Sequence, residues 1–171
     1  MQAVYMYVPP LRRRAATGAP LVKLTRYTDY ALRVLMHLAA RPERLCSIGE
    51  IARTYGISQN HLMKVVHDLR KAGFVTAARG RSGGIRLARP PAEIVVGAVV
   101  RHTEEDFDLV DCGSCMLAPA CGLTSVLSEA MRAFLKVLDG HTLDDLVGTR
   151  LDALRAFGIA PPAKAIAAAD G

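Results

Sequence analysis

Between Thr28 and Ala40 (TDYALRVLMHLAA), apolar residues recur at Ala31, Leu32, Leu35, Leu38 and Ala39. Steps of three and four residues line one face of a helix, so the segment predicts an amphipathic helix closed by Arg41-Pro42. Thr28 is its expected N-cap, with Asp29 against the positive end of the helix dipole. Ser47 and Glu50 have capping-box spacing for a short second helix. Gly56 supplies a turn, and Ser58 is the expected cap of a third helix running to about Ala72, with Gly73 closing it. On that helix Leu62, Val65, Val66 and Leu69 are expected to face inward. Cys46, between the first two helices, reads as a small buried residue.

The period changes at Phe74. Two short runs suited to strands, Phe74–Ala77 and Ile85–Leu87, flank ARGRSGG and predict a β-hairpin with a cationic, glycine-rich tip. Pro90-Pro91 marks a break, followed by a short apolar helix over Ala92–Arg101 with Ile94 and Val99 in the core. A helix of about four turns is expected over Leu123–Leu138. Its apolar positions Leu123, Val126, Leu127, Ala130, Phe134, Val137 and Leu138 form a stripe too broad for a lone exposed helix, which predicts pairing with a second copy. Thr142 and Asp145 start a last short helix. The expected fold is mainly α with a small β-hairpin wing: a winged helix-turn-helix over residues 22–90, and a cysteine-loop and dimerisation-helix region over 91–157. Residues 1–21 read as a disordered arm or as an extension from a misassigned start, since VKLTRYTDYALR from Val22 resembles a natural protein beginning. Residues 158–171 read as a disordered tail.

Charge turns this pattern toward nucleic acid. Residues 1–101 carry 17 Lys/Arg against 5 Asp/Glu, a net of +12, whereas residues 102–171 carry 5 against 11, a net of −6. A basic half joined to an acidic half is what a nucleic-acid reader attached to another module would show. Two helices joined by a glycine turn and followed by a basic hairpin form a winged helix. The third helix would enter the major groove with Ser58, Gln59, Asn60 and His61 at base edges and Lys64 at a phosphate. In the wing, Arg79, Arg81 and Arg86 would supply charge, while Gly83 and Gly84 let the backbone approach the duplex. A two-fold dimer would set two such helices about one DNA turn apart on a palindromic operator. No apolar run has the length of a membrane span, and nothing at the N-terminus resembles a secretory signal, so a cytoplasmic protein is expected.

The segment CGSCMLAPAC adds a second kind of chemistry. Cys112, Cys115 and Cys121 fall within ten residues, separated by Gly113, Ser114 and Pro119, which favour a tight loop. In a reducing compartment such spacing points to a metal or iron–sulfur site rather than to a disulfide. A zinc-stabilised regulator could use the same thiolates. No acid–base pair stands beside the cysteines, which argues against an enzyme, and a helix-turn-helix would be superfluous to an electron carrier.

Several stretches together resemble a known family. LTRYTDYALRVLMHLA, YGISQNHLMKVVHDLRKAGFV, RGRSGGIRLARP, CMLAPACGL and TLDDLV make the chain from about Val22 to Ala153 similar to the winged-helix iron–sulfur regulators that include NsrR and IscR, and most similar to their nitric-oxide-sensing branch. Regulators of the IscR type carry a histidine three residues after the last cysteine, where this chain has Thr124. Two residues separate Cys112 from Cys115, fewer than in some relatives. The resemblance implies a homodimeric transcriptional repressor carrying a 4Fe–4S cluster, or a 2Fe–2S cluster in its place, on Cys112, Cys115 and Cys121. It implies Asp29, from the partner subunit, as the remaining ligand; His102 and His141 are the alternative imidazole donors. It also implies nitric oxide as the effector, acting on the cluster to release promoters of nitric oxide detoxification genes. Iron or redox status on the same fold is the alternative signal.

Overall fold

The computed structural model describes residues 23–78, 80, 83–107, 109–110, 114–117 and 120–148. The arm 1–21, the tail 158–171, Cys112, Arg79 and Arg81 lie outside the described residues. Helix α1 (Arg26–Ala39) begins two residues earlier than its apolar pattern suggests. Its N-cap is Thr25, whose Oγ1 accepts from the Thr28 amide at 3.2 Å. Thr28 does not cap, because its side chain is fully buried and donates to Thr103 Oγ1 at 2.8 Å.

Ser47 caps α2 (Ile48–Tyr55) by accepting from the Glu50 amide. The reciprocal half of the box is not among the described bonds; the Glu50 carboxylate accepts from Arg44 instead. Gly56 closes α2 at φ 64°, a left-handed conformation that glycine adopts without strain. Helix α3 (Gln59–Lys71) then buries Leu62, Val65, Val66 and Leu69 as its pattern requires. Ser58 precedes α3 but makes no side-chain capping bond. Ala72 is the C-cap, followed by Gly73.

Strands β1 (Val75–Ala78) and β2 (Gly84–Leu87) pair antiparallel, Val75 with Leu87 through Ala78 with Gly84. Cys46 adds an isolated bridge on the far side of β2, exchanging both backbone hydrogen bonds with Ile85 at 2.9 and 3.0 Å. That close approach accounts for Gly84, since a Cβ there would sit 2.9 Å from the Cys46 carbonyl oxygen.

The expected helix over Ala92–Arg101 is divided. A 3-10 turn (Pro91–Glu93) is followed by extended Ile94 and Val95, and α4 covers Val96–Thr103. The division has a long-range cause. Val95 bridges Thr142, Val96 donates to the His141 carbonyl, and Leu143 donates to that of Ile94, all before α6 (Leu143–Gly148). These pairings hold the backbone extended where local propensity alone would let it coil. Thr142 and Asp145 cap α6 reciprocally: the Asp145 carboxylate accepts from the Thr142 amide at 2.7 Å, and Thr142 Oγ1 accepts from the Asp145 amide at 3.3 Å.

One core joins these elements. Leu35, Leu38, Ile51, Leu62 and Leu69 pack in the same buried cluster as Ile94, Val99 and Leu143. Helix α5 (Leu123–Asp139) stands outside it, with no buried residue, and its principal neighbour is α4. Gly97 permits that contact, because a Cβ there would collide with the Asp139 carboxylate.

Candidate functional site

Two surfaces carry the candidate chemistry. On the first, the N-terminal half of α3 presents Gln59, Asn60, His61 and Lys64, all exposed, with exposed Ser58 just before it. The first turn of α3 contains no acid, so its free amide N–H groups and dipole favour an anion. A groove lined by Ser47, Gly49, Arg53, Gln59, Ala78, Gly83 and Gly84 separates the helix pair from the hairpin. Arg86 is exposed on β2, and Gly83 and Gly84 are partly covered. The groove thus brings Gln59 of the helix together with Gly83 and Gly84 of the wing. Gly84 has a packing reason for being glycine as well as a backbone-approach one.

The second surface is the loop from Glu104 to Gly122. Cys115 is exposed and Cys121 half-buried, and both are free thiols. Met116, 95% exposed, and Leu117 project beside Cys115 without cover from the described chain. Ala120 donates to the Leu117 carbonyl at 3.0 Å, which turns the chain into Cys121 at the start of α5. Soft thiolates such as those of Cys115 and Cys121 are suitable donors for iron. Cys46, by contrast, is fully buried, and burial pushes its thiol pKa up. Asp29 lies in the first turn of α1, half-exposed, and accepts from Arg33 Nε at 2.9 Å. His102 is held elsewhere, its Nε2 lying 3.0 Å from Asp68 Oδ2. His141 is exposed.

The strongest structural link between the two surfaces escapes sequence reasoning. Four consecutive residues at the end of α4, just before the cysteine loop, bind three different parts of the molecule: α5, α3 and the start of α1. Arg101 donates to Asp139 of α5 at 2.7 Å, and His102 meets Asp68 of α3. Thr103 accepts from Thr28 of α1, and the Glu104 carboxylate accepts from the amide and hydroxyl of Thr25 at 2.8 and 3.1 Å. Tyr27 of α1 also donates to Asp68, and its burial together with that carboxylate pushes its pKa up to about 12. Separations of 34 to 79 residues leave no local signal for these bonds.

Residues 24–149 match the Rrf2 family, described as iron-dependent transcriptional regulators. The chain belongs to the Rrf2 family. It is a transcriptional regulator, not an enzyme, and the winged-helix fold expected from its sequence is the fold of this family. Among Rrf2-type relatives, it is 52% identical to the HTH-type transcriptional regulator NsrR of Bacillus subtilis over 140 residues, covering 78% of this chain and 96% of that one. It is 51% identical to NsrR of Geobacillus kaustophilus over 135 residues, covering 75% and 92%. Of solved structures, T. potens IscR superposes with a TM-score of 0.64 at 31% identity, covering 77% of this chain and 90% of that one.

Proposed function

We propose that this Rrf2 protein is a cytoplasmic, homodimeric repressor that binds a palindromic operator and releases it when nitric oxide reaches an iron–sulfur cluster on its cysteine loop. The observation that carries this reading is the pairing of two free loop thiols, Cys115 exposed and Cys121 half-buried, with a DNA-reader surface in a chain about half identical to regulators named NsrR. DNA recognition rests on α3. Ser58, Gln59, Asn60 and His61 would face base edges, Lys64 a phosphate, and Arg79, Arg81 and Arg86 with Gly83 and Gly84 the flanking groove.

Dimerisation rests on α5. Leu127, Met131, Leu135 and Leu138 are half-buried, while Leu123, Val126, Ala130, Phe134 and Val137 make an exposed stripe. Its steps of three and four residues suit a helix–helix seam. Val126 and Val137 are 60% and 62% exposed in the single chain, a hydrophobic cost that a second copy would remove.

Cys112, Cys115 and Cys121 would hold the cluster, 4Fe–4S in preference to 2Fe–2S, with Asp29 of the partner subunit completing it. The bound cluster supplies iron open to nitric oxide and a cross-link between the loop and α1. Asp29 can serve two partners: it pairs with Arg33 in the single chain, and that half-exposed pair costs little to exchange. Freed of the loop, Glu104 and Thr103 would no longer be held in one place against Thr25 and Thr28. The shift would reach α3 through His102, Asp68 and Tyr27, changing the spacing of two reader helices in the dimer.

Anaerobic purification with an absorbance spectrum, iron and sulfide analysis and promoter binding tests this reading. A brown, sulfide-containing protein whose promoter binding collapses on adding nitric oxide is expected. A colourless protein with one zinc per chain that ignores nitric oxide would contradict it.

A further inference from the structure

His37, Cys46 and Glu50 meet inside the reader half of the molecule. Their donor atoms all lie within 4.8 Å of one another. They come from the last turns of α1, from the segment bridged to β2, and from the first turn of α2. His37 is fully buried, and neither ring nitrogen has a hydrogen-bond partner among the described residues. A buried imidazole left that way is costly, because its lost hydration is not replaced. Its only described polar approach is Nε2 to Glu50 Oε1 at 3.7 Å, beyond hydrogen-bond range. Tyr55 meets the ring edge-on at 5.8 Å and offers it no hydrogen bond.

We infer that His37, Cys46 and Glu50 form a cation site that takes one divalent ion of the zinc class per chain, independent of the cysteine loop. A thiolate, an imidazole and a carboxylate suit a borderline ion such as zinc, and three protein ligands leave one position for water. Burial and the neighbouring Arg41 hold the His37 pKa down at about 4, so the ring is neutral and its lone pair is available. Binding expels the Cys46 thiol proton to solvent. Zinc–ligand distances of about 2.0–2.3 Å set the donors roughly 3.5 Å apart, so the three must close by about 1 Å. Arg44, now paired with Glu50, is half-exposed and can swing into water. Arg41 stays close, and its charge lowers the affinity below that of an all-acidic site. An ion here would tie α1 to α2 and, through the Cys46–Ile85 bridge, to the wing.

Cobalt(II) titration of the full chain carrying Cys112→Ser, Cys115→Ser and Cys121→Ser isolates the site. One cobalt per chain with a thiolate-to-cobalt charge-transfer band is expected, with loss of the band on adding Cys46→Ser. Glu50→Gln, at a partly exposed position, should weaken binding about tenfold or more. A folded parent without the band, or a band that survives Cys46→Ser, overturns the inference. Should the triple variant fail to fold, zinc retained after dialysis is compared between the otherwise unaltered protein and its Cys46→Ser variant. One zinc fewer per chain in Cys46→Ser supports the site, and equal retention overturns it.

Discussion

The reader half and the sensor half are built on opposite terms. From α1 to β2 the chain supplies most of the buried core, with Leu35, Ile51, Leu62 and Leu69 fully buried and Ile94, Val99 and Leu143 completing it. From Glu104 through α5 the described residues bury almost nothing: Met116 and Leu117 are exposed, and α5 has no buried residue. A region that folds on its own contacts holds one shape. A region that lacks them takes its shape from what binds it, which under the proposed function is a second copy and a cluster. That asymmetry suits a regulator, because the part that must respond to a signal is the part whose geometry the single chain leaves underdetermined.

The comparison breaks most readily in the reader core. Leu62→Ala should cost about 2–5 kcal/mol, because it removes a fully buried side chain from between tightly packed neighbours. Urea denaturation followed by circular dichroism measures it. A loss below about 1 kcal/mol would mean that the reader half is no more self-sufficient than the sensor half.

Next comes the junction. Thr103→Val leaves the buried Thr28 hydroxyl without its Thr103 acceptor and should cost about 1–3 kcal/mol. Because the same residue leads into the cysteine loop, the variant should also blunt the change in DNA affinity between cluster-loaded and cluster-free protein. Operator titrations on both forms read that coupling.

Val137→Ser on α5 should change the stability of the single chain by less than about 0.5 kcal/mol, since the side chain is mostly exposed there. Its effect belongs to assembly. Sedimentation velocity should show a shift from dimer toward monomer, and an unchanged dimer would place the seam elsewhere.

The smallest effect concerns pH. Tyr27 has its pKa raised to about 12 by burial and by Asp68, against 10.0 for an ordinary tyrosine. Between those values the folded chain keeps a proton that the unfolded chain releases, so stability falls as pH rises through the window. Tyr27→Phe should flatten that decline, as urea midpoints measured below and within the window would show.

How much of this was legible in the sequence follows from the range of the forces involved. The inward face of α3 and the turn at Gly56 are local, set by spacing and by one backbone conformation, and both were readable. Thr25 and Thr28 are equally good caps of α1 by type; only burial against Thr103, 75 residues away, decides between them. The extended break before α4 has no local signal, because it depends on Ile94 and Val95 pairing with Leu143 and Thr142. The cysteine spacing was visible at once. The bonds that tie Arg101, His102, Thr103 and Glu104 to α5, α3 and the start of α1 have no local signal, and neither does the meeting of His37 with Cys46 and Glu50. On α5 the apolar residues were visible as one broad stripe, whereas the fold divides them into one half-buried and one exposed.

The most direct test of the central claim compares Cys115→Ser with the parent, both purified without air, by thermal midpoint and by operator affinity. A nearly unchanged unfolding of the reader half is expected, together with operator binding at least about tenfold weaker, a coupling of about 1.4 kcal/mol or more. Operator binding equal to the parent's would contradict it, because the loop would then have no hold on the helix that reads DNA.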